Sequence, residues 1–317
     1  MLLVRDELRH AASAGGNVLT VGVFDGVHRG HQTLVARTRD EARRRGLGAG
    51  VATFHPNPLA VLRPDVAFSY LTSLERRVEL LCEAGADWVA VVQFTSELAL
   101  VSAEDFARML VEDAGMRLLI VGEDFRLGRG REGDVTRLRE LGVTLGFEVE
   151  TLPLVAGDLD DTGGADEISS TRIRRALAAS DMRAVTVLLG RPFSLRGPVI
   201  HGDERGRAIG FPTLNIGVSA DHALPPDGVY VTRAQVQSGQ AWGHVFHGAT
   251  NIGTQPTFDG ARRRVETHLL DFEGDLYGQV VQIELVDRLR DEQKFDGIES
   301  LVAQIQQDIV ATRAYFA

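Results

Sequence analysis

GVFDGVHRGHQ at residues 22–32 joins an apolar run, NVLTVGVF, to an amphipathic stretch that continues to about Arg45. This change of period predicts a buried strand, a tight turn and a helix in succession. Gly26 and Gly30 lie in this turn, and Gly30 lets a phosphate approach the backbone closely. Because a helix N-terminus presents free backbone N–H groups and a partial positive charge, the turn is a candidate anion site.

Two histidines, His28 and His31, stand three residues apart in this turn. In a first helical turn both imidazoles reach the same phosphate oxygens, which favours an anion cradle. The same residues also fit a simple helix cap. Zinc binding is a weaker alternative, since zinc normally takes three or four protein ligands and His55 is the one nearby third candidate. These residues alone leave phosphate binding and capping equally open.

Short apolar runs and amphipathic stretches go on alternating from Asn17 to Pro153. Helices are expected from about Gly30, near Ser73, after the Ser102/Asp105 capping pair and near residues 135–145. The second of these should bury Cys82 as a small apolar side chain. Strand-helix alternation predicts an α/β unit with a parallel, Rossmann-like sheet, in which ligands bind beyond the carboxyl ends of the strands.

The pattern changes at GRPFSLRG (residues 190–197), where turn residues punctuate the chain. Downstream segments read as strands separated by turns, and a helical pattern returns only at about Gly297. We therefore expect a second, β unit, a small antiparallel barrel with a closing helix. The predicted domains are 1–187 and 188–317, and the acidic, glycine-rich residues 157–167 predict a loop.

Composition narrows the classes of function. The 317 residues carry a formal net charge of -10, which disfavours binding to the nucleic-acid backbone. Cys82 is the single cysteine, and neither a secretory leader nor a membrane-spanning run is evident. The sequence predicts a cytoplasmic protein that acts on small molecules without nucleic acid or a membrane, as a monomer or weak homo-oligomer.

The first unit carries motifs of a known family. The turn resembles the HxGH signature of the nucleotidyltransferase superfamily, and with GVFDG before it and Gln32 after it resembles the bacterial bifunctional riboflavin kinase/FAD synthetase family. ISSTRIRR (168–175) and VGEDFRLGRGREGD (121–134) resemble two further motifs of that family. The resemblance implies an FMN adenylyltransferase in which His28, His31 and Arg172 stabilise charge moving onto pyrophosphate.

The resemblance also implies ligand contacts in this unit. Phe125 is a candidate flavin contact. The ATP contacts implied are Phe24, Asp25, Gly26, His28, Gly30, His31, Asn57, Asp124, Ser170, Thr171 and Arg172. Ser170 and Thr171 suit this role as helix-capping hydroxyls, and Arg172 as a bidentate partner of phosphate.

Two departures from the family pattern motivate an alternative. TFHPNP (53–58) has His55 and Asn57 where the family commonly has other residues, and Leu127 stands where an aromatic residue is usual. The alternative keeps the kinase and gives the first unit a changed flavin or nucleotide preference, or little activity. A non-catalytic flavin-binding regulator is a third hypothesis, and a dehydrogenase is disfavoured because the first turn lacks GxGxxG.

The second unit contains GPVIHGDERGRAIGFPTLNI (197–216), a loop of interleaved glycines and arginines. Such a loop can wrap a phosphate chain, although by itself the pattern favours an exposed hairpin. The long pattern GxxRGRxxGFPTxN resembles the riboflavin kinase domain. The resemblance implies Thr213 and Asn215 as ligands of Mg²⁺, and kinase ATP contacts at Gly202, Arg205, Gly206, Arg207, Thr213 and Asn215.

VETHLLDFEGDLYG (265–278) resembles the family segment that holds the catalytic base, and the implied base is Glu266, close to the flavin. Without the resemblance, a single glutamate on a strand would be interpreted as a solvated residue on the outer face of the sheet. Arg290 is implied as a holder of the FMN phosphate. Together the motifs predict ATP-dependent phosphorylation of riboflavin to FMN, followed by adenylylation of FMN to FAD.

Overall fold

A computed structural model of the chain describes residues 2–11, 15–153, 155–157, 166–202, 205–239, 241–257 and 260–317. Most of the predicted acidic loop, residues 158–165, lies outside these ranges. The chain divides into two compact units, Met1–Ser170 and Thr171–Ala317. No helix within the described ranges has both the length and the apolar character needed to cross a bilayer.

The first unit is built on a five-stranded parallel sheet in the order β3-β2-β1-β4-β5. This confirms the predicted Rossmann-like architecture. Strand β1 is central, so the turn that follows it emerges between the carboxyl ends of β2 and β4. The strands are β1 (Asn17–Gly22), β2 (Gly48–His55), β3 (Trp88–Gln93), β4 (Met116–Gly122) and β5 (Glu148–Leu152).

Helices cover both faces of this sheet. Three of them begin where the sequence predicts a helix, and the side chains of Ser73, Ser102 and Asp134 each accept the backbone N–H three residues on. The cap at Ser102 was itself predicted. The helices are α1 (Leu2–Ala11), α2 (Arg29–Arg45), α3 (Pro58–Leu62), α4 (Leu74–Glu83), α5 (Ala103–Ala114) and α6 (Val135–Leu145). Two short 3₁₀ turns (Leu98–Leu100 and Arg129–Arg131) and the two-residue strands β6 (Ala156–Gly157) and β7 (Asp166–Glu167) complete the unit.

The core of the first unit lies on the two sides of the central strands. Val18 and Ile120 pack with Ala42 of α2 on one side, whereas Leu19 and Val121 pack with residues of α5 on the other. Because successive strand residues point to opposite faces, the continuous apolar runs of β1 and β4 serve both layers.

The second unit is a closed antiparallel barrel in the order β10-β11-β12-β9-β8-β13, as predicted. Its strands are β8 (Phe193–Ile200), β9 (Leu214–Ile216), β10 (Gly228–Val236), β11 (Val245–Thr257), β12 (Gly260–Leu269) and β13 (Val280–Asp291). Helix α7 (Ser170–Ala178) begins at the last residue of the first unit. It is followed by α8 (Met182–Leu189), the short α9 (Arg205–Ala208) and the closing helix α10 (Ile298–Phe316).

Helix α8 belongs physically with the barrel. It contacts β8 and β13, and buries Met182, Val185, Leu188 and Leu189. The loop before it is fixed at Ser180, whose Oγ lies 3.3 Å from the hydroxyl of the buried Tyr230 on β10. Helix α8, which precedes the first strand of the barrel, is therefore packed as part of the barrel unit.

Candidate active sites

The turn after β1 has an unusual backbone. Phe24, Gly26 and Val27 have φ angles of 53°, 82° and 39°, in the left-handed region that residues with side chains rarely adopt. Strain of this kind is retained where the surrounding structure requires one geometry, as at binding sites. The turn brings His28 to the N-cap of α2, where its Nδ1 accepts the backbone N–H of His31 at 3.4 Å.

The two histidine rings form a stacked pair. Their centroids lie 3.6 Å apart with an interplanar angle of 18°, and the ring of Phe24 meets His31 edge-on at 5.0 Å. Gly30 leaves room for this stack, because a Cβ there would lie 3.3 Å from both Cε1 and Nδ1 of His28 and would press the ring to move by a few tenths of an ångström. His28 thus caps the helix, and its ring lies beside that of His31. The phosphate-binding interpretation of the pair stays a prediction.

The stacked pair lines a cavity of about 310 Å³, here called the histidine cavity. It lies where the strand order changes direction, between the carboxyl ends of β1 and β4, the position at which such sheets bind ligands. The predicted residues among those lining it are Phe24, His28, Gly30, His31, Asp124, Phe125 and Ser170. Ser170 is held by its Oγ, which donates to the backbone oxygen of Asp25 at 2.9 Å.

A larger cavity of about 780 Å³, the apolar cavity, shares Gly22, Asp124 and Phe125 with the histidine cavity. Aromatic and aliphatic side chains dominate its lining, and three arginines join them. Its lining includes Phe54, Leu59, Leu62, Phe94, Leu98, Phe106 and Leu127, together with Arg63, Arg126 and Arg131. A flat apolar ring with a charged substituent fits such a cavity.

Asp25 and Gly26, predicted as ATP contacts, are not among the residues that line the histidine cavity. Asp25 is 2% exposed, and its carboxylate accepts the backbone N–H groups of Leu71 at 3.0 Å and Thr72 at 3.3 Å. The buried Asp25 therefore supports the turn from the protein interior. Gly26 likewise donates its N–H to the Thr72 hydroxyl at 3.2 Å.

Asn57 lies at the other cavity. Its Oδ1 accepts the N–H of Leu59 at 2.9 Å as the N-cap of α3, and the residue lines the apolar cavity. His55 contacts the ring of Tyr70, 5.5 Å between centroids, and is not among the residues that line the histidine cavity. Thr171 and Arg172 are the second and third residues of α7, in the second unit.

Sequence reasoning missed some residues of the histidine cavity. Thr33 and Leu34 line it from α2, and Glu167 lines it from β7. The helical spacing from Gly30 to Thr33 and Leu34 was a usable signal. No sequence pattern predicts Glu167 at the cavity, because its position depends on how the segment after β5 folds back toward the sheet.

In the barrel, strand pairing brings the predicted kinase residues together. Glu266 of β12 is directly opposite Asn215 of β9, and Asn251 of β11 is opposite Glu266 on its other side. Directly opposite residues share a face and lie close together, so these three side chains form a polar row. Asn215 is 9% exposed, and Nη1 of Arg264 lies 3.9 Å from Oε1 of Glu266.

The glycine-rich loop packs tightly before this row. A Cβ at Gly202 would lie 2.6 Å from Cγ and 2.8 Å from Oδ1 of Asn215, and one at Gly206 would collide with the backbone oxygen of Phe211. Arg207 and Thr213 line a cavity of about 220 Å³, which residues 269 and 272–277 close. The side chain of Arg205 lies outside the described part of the structure.

Arg290 has a structural partner. Its Nε and Nη2 donate to the two carboxylate oxygens of Asp308 at 2.9 and 2.8 Å, which joins β13 to α10, and Cζ lies 5.8 Å from the centroid of the Phe295 ring. The guanidinium fork is thus occupied by a carboxylate. The predicted role toward the FMN phosphate stays a prediction.

Comparison with known proteins agrees with this geometry. The FAD synthetase family matches residues 10–172, and the riboflavin kinase family matches residues 189–316. A bifunctional riboflavin kinase/FMN adenylyltransferase of Escherichia coli (strain K12) is 39% identical over 302 residues, which cover 95% of this chain and 93% of that protein. The protein of the same name from Bacillus subtilis (strain 168) is 35% identical over 315 residues, covering 95% and 93%.

A solved structure is similar across both units. The crystal structure of a protein named as a macrolide-efflux protein from Streptococcus pneumoniae superposes with a TM-score of 0.85 at 31% identity, covering 96% of each chain. The full-length relatives and the two family matches, one in each unit, lead to a single assignment. The chain belongs to the bifunctional riboflavin kinase/FMN adenylyltransferase family.

Proposed function

We propose that the barrel phosphorylates riboflavin to FMN and that the parallel-sheet unit adenylylates FMN to FAD, with ATP as the donor in both reactions. The observation that carries the proposal is the pair of cavities at the carboxyl ends of β1 and β4. The histidine cavity offers imidazoles and a helix N-terminus to a phosphate chain, and the adjoining apolar cavity accepts a flat ring. The shared lining at Gly22, Asp124 and Phe125 is where the two substrates would meet.

In the adenylyl transfer, a phosphate oxygen of FMN attacks the α-phosphorus of ATP, and the bond from that phosphorus to the β-phosphate oxygen breaks. Negative charge then accumulates on the departing pyrophosphate. We assign His28 and His31 as donors to it, because their rings line the cavity at the N-terminus of α2. We also assign Arg172 to pyrophosphate and Asp124 to the nucleotide.

In the kinase reaction, the 5′-hydroxyl oxygen of riboflavin attacks the γ-phosphorus of ATP, and ADP leaves. We assign Glu266 as the base that accepts the hydroxyl proton. Its place opposite Asn215 supports this, since it puts a carboxylate beside the proposed phosphate-binding residues.

The donors at Thr213 and Asn215 suit Mg²⁺, which prefers oxygen ligands and usually completes its shell with water and substrate phosphates. Mg²⁺ would neutralise charge on the transferred phosphate. Thr213 and Asn215 would hold it, and Arg207 would contact the polyphosphate chain from the adjoining cavity.

We further propose that the activities divide near residues 187/188 and that the protein is cytoplasmic. It would work as a monomer or weak homo-oligomer without nucleic acid. The net charge of -10 supports the last point, because it opposes a polyphosphate backbone over most of the surface.

The direct test is a time course of purified protein with riboflavin, ATP and Mg²⁺, with FMN and FAD separated chromatographically. FMN should appear first and FAD should follow. Glu266→Gln should lower riboflavin phosphorylation by a factor on the order of 10²–10⁴ while FAD still forms from supplied FMN. His31→Ala should halt the sequence at FMN.

Matched variants give the controls: Glu284→Gln on the barrel strand β13 and His10→Ala on α1 should leave both reactions near wild type. A wild-type chain that binds flavin and forms neither product would refute the proposal. FMN formation without FAD at any nucleotide or flavin concentration would refute the adenylyltransferase half alone.

A further inference from the structure

Arg77 on α4 is a fully buried arginine beneath the first site. Its relative exposure is 0%, and among the described residues no carboxylate lies within ion-pair distance of its guanidinium. Two of its nitrogens, Nε and Nη2, have no hydrogen-bond partner in that part of the chain. Burial lowers the pKa of Arg77, and the neighbouring Asp25 and Tyr70 oppose that change. For folding alone, an apolar residue would be the cheaper choice at this position.

The third nitrogen bridges two strands. Nη1 donates to the backbone oxygen of Val23 at 3.2 Å and to that of Phe54 at 3.1 Å. The parallel pairing of β1 and β2 ends one residue earlier, at Gly22 and Thr53. Arg77 therefore joins the first two carbonyls beyond the ladder, where the backbones of the two strands are no longer paired.

Both carbonyls belong to walls of the site. Val23 precedes the strained turn that carries Phe24 and the stacked histidines, whereas the side chain of Phe54 lines the apolar cavity. A second donor acts on the same oxygen, since Thr53 Oγ1 donates to Val23 at 2.9 Å. Loss of the Arg77 bridge would leave the Thr53 hydroxyl as the other side-chain donor to Val23 and would loosen the turn relative to the Phe54 wall.

The guanidinium is also packed against the loop that holds the turn from below. Its Cζ lies 5.5 Å from the centroid of the Tyr70 ring, and the hydroxyl of Tyr70 accepts the N–H of Asn57 at 2.9 Å. The next residue, Leu71, donates to Asp25 in the turn. Arg77 thus lies at the centre of the contacts that place one cavity relative to the other.

We propose that Arg77 is a positioning residue for adenylyl transfer, which fixes, through the carbonyls of Val23 and Phe54, the spacing between the phosphate-binding turn and the flavin wall. The inference rests on the proposed function of this unit. Such a residue acts mainly on turnover, because a shift of about 1 Å between reacting groups costs on the order of 10²-fold in rate while much of the binding surface survives.

The test compares Arg77→Met, Arg77→Lys and the matched control Arg76→Met in the full-length protein. Arg76 is the adjacent residue on α4, but it is partly exposed and pairs with Glu79 and Glu83. FMN adenylylation is measured per folded chain, well below the melting temperature of each variant. We expect Arg77→Met to lower kcat by about 30- to 100-fold with KM for ATP and FMN changed less than about threefold. Arg76→Met should stay within about twofold of wild type.

Arg77→Lys supplies the conservative rescue. The ammonium keeps a nitrogen with donors for both carbonyls, although its stem is shorter, so it should recover at least about tenfold of the lost kcat. A kcat for Arg77→Met equal to that of Arg76→Met, an effect confined to KM, or a lysine variant no better than the methionine variant would each overturn the proposal.

Should Arg77→Met fail to fold, Thr53→Val decides, because it removes the other side-chain donor to Val23 without changing shape. A fall in kcat of about three- to tenfold at unchanged KM supports the bridge, and an unchanged kcat overturns it. Wild-type FAD synthesis is measured first, so that its absence refutes the proposed function rather than the role of Arg77.

Discussion

Gly202 shows how one residue can set the geometry of a site without touching a ligand. Its missing side chain leaves room for the amide of Asn215, which a Cβ would meet at 2.6 Å from Cγ. Gly202→Ala should therefore displace Asn215 and lower riboflavin phosphorylation by at least about tenfold, with a raised Mg²⁺ requirement. Steady-state kinase assays over a Mg²⁺ titration would measure both effects.

Gly297→Ala is the matched control for that variant, because a Cβ there meets nothing within 4 Å. It should keep the kinase rate, and both variants should adenylylate supplied FMN normally. Wild-type kinase kinetics in Gly202→Ala would mean that Asn215 has no part in the reaction or that the loop moves without cost.

At this scale the sequence predicts which residues approach a site better than it predicts what else they contact. His28, His31 and Ser170 line the expected cavity, whereas the carboxylate of Asp25 and the fork of Arg290 are taken by other groups. The residues that bind Asp25 and Arg290 lie 46 and 18 residues away in the chain, so no local sequence pattern reveals these contacts.

Helix α2 is tied to strand β5 by an ion cluster around a buried carboxylate. Glu41 is 2% exposed and accepts hydrogen bonds from Arg44 and Arg45, and Arg45 also binds Glu148 of β5 at 2.7 Å. Hydrogen bonds from the two arginines lower the pKa of Glu41 from 4.5 to about 2. Because the folded state holds the charged form, this contribution to stability is complete above about pH 4.5 and is lost as the pH falls toward 2.

Glu41→Gln should therefore melt at a lower temperature than wild type at pH 7, and the difference should shrink between about pH 4.5 and 2. Thermal unfolding of the first unit over that range measures it. Glu140→Gln is the control, since Glu140 pairs with Arg137 at the exposed surface. A difference that stays constant with pH would show that the cluster does not act through the charge on Glu41.

Among the elements, those with strong periodicity and caps were predictable and those that depend on a neighbour were not. Ser102 and Asp134 open helices where the sequence indicates them. Helix α1 has a mixed pattern and packs against β3 and α5. The prediction of a buried Cys82 was wrong: it is exposed, next to the buried Leu80 and Leu81, because helical spacing gives a period without fixing which face meets the sheet.

The whole molecule separates into two units at a place that motifs alone do not define. The family matches end at residue 172 and resume at 189, whereas the compact units meet at Ser170 and Thr171. Residues between these limits include α8, whose apolar face lies on β8 and β13. Family motifs locate the residues that carry out the chemistry. The packing of a connecting helix depends on its apolar surface, which contains no motif residues.

Two fragments of the chain would show whether the barrel needs the residues between the unit boundary at Thr171 and the predicted boundary at residue 188. One beginning at Leu188 should phosphorylate riboflavin if the motif boundary suffices, but it lacks the buried Met182 and Val185 of α8. Burial of each such side chain contributes roughly 1.5–3 kcal/mol, a large share of the total stability of about 5–15 kcal/mol for a domain. We therefore expect the fragment from Thr171 to Ala317 to fold with the melting temperature of the intact barrel, and the shorter fragment to melt well below it.

Kinase assays at a temperature where both fragments are folded separate stability from chemistry. The two should then give similar turnover, because the polar row of Glu266, Asn215 and Asn251 lies on strands that both contain. The matched control is Leu188→Ala in the longer fragment, which removes one fully buried side chain and should lower the melting temperature without changing kcat. Equal melting temperatures for the two fragments would show that the part of α8 before Leu188 adds nothing to the stability of the barrel, and the boundary near residues 187/188 would then suffice for folding as well as for activity.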